Sequence, residues 1–152
     1  MTSHSILLLT ERSKIIYNKI MGRNKKFDQA TVISTISQTF IQYGYEGTSL
    51  DDLVKATGLL RGSLYASFGS KRGMFLATLE QAISVDPTSE TTIDLVIIAL
   101  MDLTSHDQKI NQLVTDWSQQ YSSTTLVNLL GQAILKHGQL KGAPHGKPRN
   151  HQ

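Results

Sequence analysis

The sequence contains no cysteine, and this absence excludes disulfide bridges, thiolate metal sites and thiol-based redox sensing. Proline is also scarce, with three in 152 residues, which is too few for a long disordered chain. The longest apolar run, at 95–101, is far shorter than the roughly 20 residues that cross a bilayer. The short apolar run at 6–9 lacks the preceding lysine or arginine of a secretory signal. These absences predict a soluble cytoplasmic protein that does not enter a membrane.

Patterns of catalytic and metal-binding residues are missing as well. The five histidines lie at segment ends or in the polar C-terminal stretch, without the HxxxH or HExxH spacing of a metal site. No phosphate-binding loop of the GxGxxG or GxxxxGK type occurs. We therefore predict that the protein is not an enzyme and has neither a metal nor a cofactor. The net charge of +3 is mild, and on its own it says little about a partner.

Apolar residues recur at intervals of three and four along most of the chain, which predicts an all-α fold. The first clear helix spans 28–43, places Ile33, Ile36 and Phe40 on one face, and ends at Gly44. The stretch at 1–20 has only a weak helical pattern. It is either an extra N-terminal helix or sequence upstream of a natural start at Met21.

Two short helices and one longer helix follow. The first has Thr48 or Ser49 as its N-cap and stops at Gly58. A third helix spans 60–67, and a fourth, capped by Ser70, spans 71–84. The inward-facing residues of the helix before Gly58 are predicted to be Leu53, Val54 and Ala56.

The segment 86–89, Asp-Pro-Thr-Ser, is the clearest boundary in the chain. Beyond it, apolar residues at 93–101 share one helical face. We expect this face either to pack on the helices at 71–84 and 110–136 or to be a dimer surface. The pattern at 110–136 fits one long bent helix or two helices.

The stretch from Thr48 to Lys71 is the most informative part of the sequence. A short capped helix, a glycine turn and a second short helix predict a helix-turn-helix at 49–68. The second helix has small or polar residues at Arg61, Gly62 and Ser63, which would allow it to approach base edges closely. These features indicate a DNA-binding protein.

Two motifs in this region resemble the DNA-binding domain of the TetR family of repressors. They are Gly-Tyr-Glu-Gly-Thr-Ser at 44–49 and Gly-Leu-Leu-Arg-Gly-Ser-Leu-Tyr-Ala-Ser-Phe-Gly-Ser-Lys at 58–71. The resemblance covers about residues 22–84, with each element at the family's spacing. It implies an N-terminal extension at 1–21, a DNA-binding domain at 22–84, a shortened helical regulatory and dimerisation domain at 85–141, and a tail at 142–152 that we predict to be disordered.

The resemblance also implies a set of DNA-contacting residues. Helix 60–67 would enter the major groove with Arg61, Gly62, Ser63 and Tyr65, of which Tyr65 would touch a phosphate. Thr48 would donate to a phosphate through its hydroxyl and backbone N–H, beside Ser49 at the same helix start. Lys71 would contact a phosphate at a helix N-terminus. Arg23, Lys25 and Lys26 would form a basic arm along the duplex.

Each of these residues also has a purely structural interpretation. Tyr65 could be a core aromatic, Thr48 could be only a helix cap, and Lys71 could be an ordinary solvated charge. Arg72 occupies a position where the family usually has an acidic residue, and its role stays open.

The second half departs from the family pattern. Only about ten residues separate Ile83 from Ile93, where the family has several tens, and the two last helices of the family's dimer interface have no counterpart after Leu140. Members commonly enclose a small-molecule pocket in this domain. Met101, Trp117 and Tyr121 could line such a pocket or could be core residues.

The resemblance thus implies a sequence-specific, DNA-binding transcriptional repressor that acts as a homodimer on double-stranded DNA, with a small-molecule effector. The alternative is a shortened family member without effector control, which binds DNA constitutively or pairs with another regulator.

Overall fold

The structure is a computed structural model that describes residues 28–142, with side chains through 138. All regular secondary structure in this range is α-helical, as the sequence predicted. The extension at 1–21, the basic arm with Arg23, Lys25 and Lys26, and the tail after 142 lie outside the described residues. The described helices are α1 (Gln29–Tyr43), α2 (Leu50–Thr57), α3 (Arg61–Phe68), α4 (Lys71–Val85), α5 (Glu90–Asp102), α6 (Gln108–Ser118) and α7 (Ser123–Gly142).

Helix α1 begins and ends at the predicted signals. The Asp28 side chain accepts a hydrogen bond from the backbone N–H of Ala30, and Gly44 ends the helix with a φ of 75°, a value that suits glycine. The predicted face of Ile33, Ile36 and Phe40 is buried. Helix α1 packs against α2, α4 and α5, so it forms the centre of the fold.

Helices α2 and α3 are each eight residues long and meet at Gly58, which has the left-handed φ of 69°. Ser49, not Thr48, is the N-cap of α2, and it forms a capping box with Asp52. Leu53 is fully buried, as predicted. The prediction for Ala56 was wrong, because the inward stripe of this short helix continues to Thr57 and leaves Ala56 exposed.

Helix α4 closes the N-terminal core. Its predicted cap, Ser70, accepts from the N–H of Gly73 at 2.9 Å. The Phe75 ring meets those of Phe40 and Tyr45 edge to face, at centroid distances of 5.2 and 5.5 Å. These contacts fix α4 on α1 and on the loop that leads to α2.

The segment 86–89 is a tight turn, and one hydrophobic core continues across it. The Trp117 indole N–H donates to the carbonyl of Pro87 at 2.9 Å, so the turn is bound to α6. The helix with the apolar face predicted at 93–101 packs on α1, α4, α6 and α7, and Ile93 and Val96 of this face lie in the core. The far end of this face does not pack in this way, because Leu100 and Met101 are 44% and 78% exposed, and there the alternative of a dimer surface stays open.

The predicted pattern at 110–136 corresponds to two helices, α6 and α7, which resolves the alternative left by the sequence. Helix α7 packs on α5 through partly buried leucines. Lys136 Nζ donates to Glu90 Oε1 at 2.6 Å, and His137 Nε2 lies 2.7 Å from Asp94 Oδ1. Among residues 28–142, no helix combines the length and the apolar character that a membrane span needs.

The predicted ligand pocket finds no support in this packing. Trp117 is buried in the core with its N–H satisfied, and Tyr121 packs on it at a centroid distance of 5.4 Å. Met101 is largely exposed, so it does not line an enclosed cavity with the other two. None of the three lines the surface cleft beside Arg72 or the one between α1 and α4.

Candidate nucleic-acid interface

The outer face of α3 is the candidate DNA-contacting surface. The inner side of α3 is anchored by Leu64, which is fully buried. Leu59, two residues before the first residue of the helix, is buried as well. Ser49 caps α2, and the left-handed Gly58 sets the turn between the two helices. Helix α2 therefore braces α3, and the predicted residues Arg61, Gly62 and Tyr65 are exposed on it.

Arg61 lies in the first turn of α3 and forms an ion pair with Asp51 of α2. Both side chains are well exposed, at 58% and 81%. Exposed pairs of this kind contribute about 1 kcal/mol or less, because water screens the charges and two long side chains must be ordered. The guanidinium can therefore exchange this partner for another acceptor at low cost.

Gly62 and Tyr65 make the middle of the face accessible. A Cβ built on Gly62 would meet no atom within 4 Å, so the absence of a side chain there serves no internal contact and leaves the backbone open to a partner. Tyr65 is 45% exposed, which argues against the interpretation of this residue as a core aromatic.

Ser63 and Thr48 are not on this surface, contrary to the sequence-based prediction. Ser63 is only 5% exposed, because it faces the interior beside Leu64. Thr48 is 1% exposed; its hydroxyl donates to the carbonyl of Gly44 at 2.6 Å and its N–H to that of Tyr45. Both groups that would have donated to a phosphate are thus already used within the fold.

Ser49 is exposed, but its polar groups are also occupied. Its N–H and hydroxyl both donate to Asp52 Oδ2, at 2.8 and 2.6 Å. The hydrogen bonds from Ser49 lower the pKa of Asp52, so this carboxylate is ionised at neutral pH. An anionic phosphate would meet that negative charge at the start of α2.

Lys71 connects the start of α4 with the loop before α2. Its Nζ donates to the Thr48 carbonyl at 2.8 Å and lies 4.5 Å from the centre of the Tyr45 ring. An ammonium has three donors, so these contacts leave capacity for a further acceptor. Burial raises the pKa of Tyr45, which keeps its phenol neutral beneath the ammonium.

Arg72, whose role the sequence left open, forms a bidentate ion pair with Asp107. Nη2 donates to Oδ1 at 2.8 Å and Nε donates to Oδ2. The hydrogen bond from Arg72, more than any other contact, lowers the pKa of Asp107 to about 2. Two features of the sequence relate to this ion pair: Arg72 is a basic residue at a usually acidic position, and Asp107 is an aspartate at a helix start. Neither feature identifies the partner, which lies 35 residues away.

Sequence reasoning also missed Leu60, which precedes α3 and is 76% exposed. Its exposure places it at the edge of the candidate surface, but a single exposed apolar residue has no assigned role on that ground alone. Within residues 28–142, no three histidine or acidic side chains are placed to bind a metal ion together.

Comparison with known proteins bears on the same part of the chain. The family described as "Bacterial regulatory proteins, tetR family" matches residues 32–78. The HTH-type transcriptional regulator YezE of Bacillus subtilis is 50% identical over 60 residues, which are 40% of this chain and 31% of that protein. The HTH-type transcriptional repressor ComR of Escherichia coli is 46% identical over 65 residues, 43% of this chain and 31% of its own.

A third relative extends further along the chain. The HTH-type transcriptional repressor BdcR of Escherichia coli is 25% identical over 99 residues, 65% of this chain and 45% of its own. The chain thus spans about a third to under half the length of these relatives. No solved structure matches it significantly.

Proposed function

We propose that the chain is a transcriptional repressor of the TetR family of bacterial regulatory proteins, and that it binds a two-fold symmetric DNA site as a homodimer. The observation that supports this function best is the outer face of α3. Arg61, Gly62 and Tyr65 are exposed together on a short helix that a capped neighbour braces. This is the arrangement in which a helix enters the major groove.

The three exposed residues suit different parts of a duplex. Arg61 can donate two hydrogen bonds to the O6 and N7 atoms of a guanine, and this contact discriminates between bases. Gly62 permits close approach of the backbone, and the Tyr65 hydroxyl suits a phosphate oxygen. Lys71 would add a second phosphate contact, which positions the protein but specifies no base. Thr48, Ser49 and Ser63 are left out, because they are buried or already hydrogen-bonded.

The proposed homodimer needs a surface outside the DNA-contacting face. Helix α7 has three large apolar side chains that are more than half exposed: Val127, Ile134 and Leu135. Exposed apolar residues on one helix favour association with another protein surface. Two copies joined in this way would present two α3 helices to successive major grooves.

A second candidate function differs only in whether a small-molecule effector controls DNA binding. The buried, hydrogen-bonded Trp117 and the exposed Met101 argue against a pocket formed by the predicted residues. This packing favours a regulator that binds DNA without a small-molecule effector. A ligand-induced rise in melting temperature would instead support effector control.

The test begins with selection of a duplex by the wild-type protein from random-sequence DNA, followed by titration at several salt concentrations. We expect Arg61→Ala to weaken specific binding by about tenfold or more. Asp51→Ala is the matched control, since it breaks the same ion pair but leaves the guanidinium in place. It should leave affinity unchanged or raise it.

Two results would contradict the proposed function. One is that the wild-type protein selects no sequence and binds all duplexes alike. The other is that Asp51→Ala and Arg61→Ala weaken binding equally, because the ion pair and not a DNA contact would then explain the role of Arg61.

A further inference from the structure

The first turn of α4 is bonded to two different parts of the molecule. Lys71 contacts the Thr48 carbonyl and the Tyr45 ring, which belong to the loop before α2. Arg72, the next residue, contacts Asp107 at the start of α6. This one turn therefore connects the helix-turn-helix with the C-terminal helices.

The Asp107 side chain is a rigid anchor for this connection. It is only 7% exposed, and its Oδ1 accepts from the backbone N–H groups of Lys109 and Ile110, both at 3.1 Å, as well as from Arg72. A carboxylate with that many donors is fixed in position. The planar guanidinium, which bonds it through two nitrogens, is then fixed in direction as well.

Another ion pair between the same two helices has different properties. Lys109 Nζ lies 3.7 Å from Glu80 Oε1, and these side chains are 64% and 50% exposed. A long, hydrated pair of this kind restricts orientation little. The Arg72–Asp107 pair has the shorter contacts and the buried carboxylate, so it holds α4 to α6 more firmly.

We propose that Arg72 and Asp107 are positioning residues for DNA binding: their ion pair sets the angle between the helix-turn-helix and the C-terminal helices. The inference rests on the proposed function, in which the C-terminal helices join two copies. The angle then determines the separation of the two α3 helices. Half-sites on one face of DNA lie roughly 34 Å apart, so both helices enter their grooves only at the correct separation.

If this angle is less well fixed, binding to a full site is weakened and binding to a single half-site is not. The second α3 helix binds at an effective concentration that depends on how well the first contact orients it. A duplex with a single half-site does not sense this orientation. Loss of the ion pair should therefore lower affinity for the full site and not for the half-site.

The experiment compares two duplexes, the full site selected by the wild-type protein and the same site with one half scrambled. Arg72→Gln and Asp107→Asn each remove the ion pair, and asparagine still provides the side-chain oxygen that caps α6. We expect each variant to bind the full site about tenfold more weakly, with half-site affinity little changed. The double variant should show no further loss, because both changes remove the same contact.

The pair of variants also separates positioning from direct contact with phosphate. If Arg72 bound DNA itself, Arg72→Gln would weaken binding to both duplexes, whereas Asp107→Asn would release the guanidinium and strengthen it. Opposite effects of the two variants would overturn the proposal. So would full-site affinities equal to that of the wild-type protein.

Lys109→Gln is the matched control, since it removes the exposed pair between the same helices. It should leave both affinities unchanged. Thermal unfolding of every variant at the assay pH shows whether it is folded, and equal losses on both duplexes would indicate a merely structural role. A wild-type protein that does not prefer the full site would contradict the proposed dimer, a failure visible before any variant is made.

Discussion

The α2–α3 unit and the α5–α7 unit of this protein differ in the range of the contacts that hold them. Helices α2 and α3 are fixed by local signals, a capping box at Ser49, a left-handed glycine at 58 and a buried leucine at 64. Helices α5, α6 and α7 are instead fixed by pairs distant in sequence, such as Trp117 with Pro87 and His137 with Asp94.

This difference matches the proposed roles of the two units. A surface that contacts DNA must keep its polar groups free, so its helices depend on caps and turns at their ends. The C-terminal helices have no such requirement, and some of their polar side chains pair across helices. Asp94 shows this: it is 6% exposed within an apolar helix, where its carboxylate needs a partner.

The largest expected effect tests whether the two units unfold as one. Phe75 is fully buried in the core cluster that extends from α1 to α6, so Phe75→Ala should cost about 3 to 5 kcal/mol of unfolding free energy. Urea titration followed by circular dichroism and by fluorescence of Trp117, the single tryptophan, measures this.

The two probes should give coincident transitions in both proteins, as for a two-state domain. Separate transitions in the wild-type protein would contradict a shared core and would make the α2–α3 and α5–α7 units independent domains.

The next effect concerns α7 alone. His137→Ala leaves the buried Asp94 carboxylate without its hydrogen-bond partner. It should lower the unfolding free energy by about 2 to 3 kcal/mol. Hydrogen exchange should become faster in α7, whereas amides of α2 and α3 that exchange through local opening of those helices should keep their protection. Lys136→Ala is the control, because its partner Glu90 is exposed and can be solvated; it should have little effect. Equal acceleration in α2 would contradict a local role.

The Arg72–Asp107 pair predicts how stability depends on pH. The pKa of Asp107 is lowered to about 2 in the folded protein, below its value of about 4 in an unfolded chain. Its contribution, roughly 2 kcal/mol, is therefore present above pH 4 and lost as the pH falls toward 2. Urea unfolding at pH 5 and at pH 2.5 should show this loss.

Arg72→Gln provides the comparison for that experiment. Without the guanidinium the pKa of Asp107 returns toward its ordinary value, so the variant should be less stable than the wild-type protein at pH 5 and closer to it at pH 2.5. A constant difference in stability across this pH range would rule out the ion pair as its source.

The sequence predicted helix ends well, but it predicted poorly the contacts between residues far apart in the chain. Asp28, Gly44 and Ser70 mark helix ends through contacts within a few residues, so the bounds they predicted are close to those observed. The outward position of Arg61 followed from the same short pattern. A composition-based assignment of Ser63 to the surface was wrong, because a small hydroxyl side chain also fits a tight helix contact.

The ion pair of Arg72 could not be predicted, since its partner lies on another helix. The same holds for Trp117: its spacing predicts a helical apolar face, but nothing in the local sequence assigns its indole N–H to the carbonyl of Pro87. The family resemblance located the helix-turn-helix through its two motifs and their spacing. It gave no information on which of their hydroxyl groups the fold would bury.

The smallest expected effect distinguishes the two interpretations of Ser49. As a helix cap, its hydroxyl accepts from the N–H of Asp52 at 3.1 Å, so Ser49→Ala should cost about 1 kcal/mol in thermal unfolding. Ser49→Asp restores an acceptor at the cap and should recover most of that stability, while it adds a negative charge beside the candidate DNA-contacting surface. If Ser49 is only a cap, Ser49→Ala should leave DNA affinity unchanged at a temperature where both proteins are fully folded. A loss of affinity without a loss of stability would show instead that the hydroxyl contacts DNA, and that the α2 N-terminus exchanges its internal hydrogen bonds for a phosphate on binding.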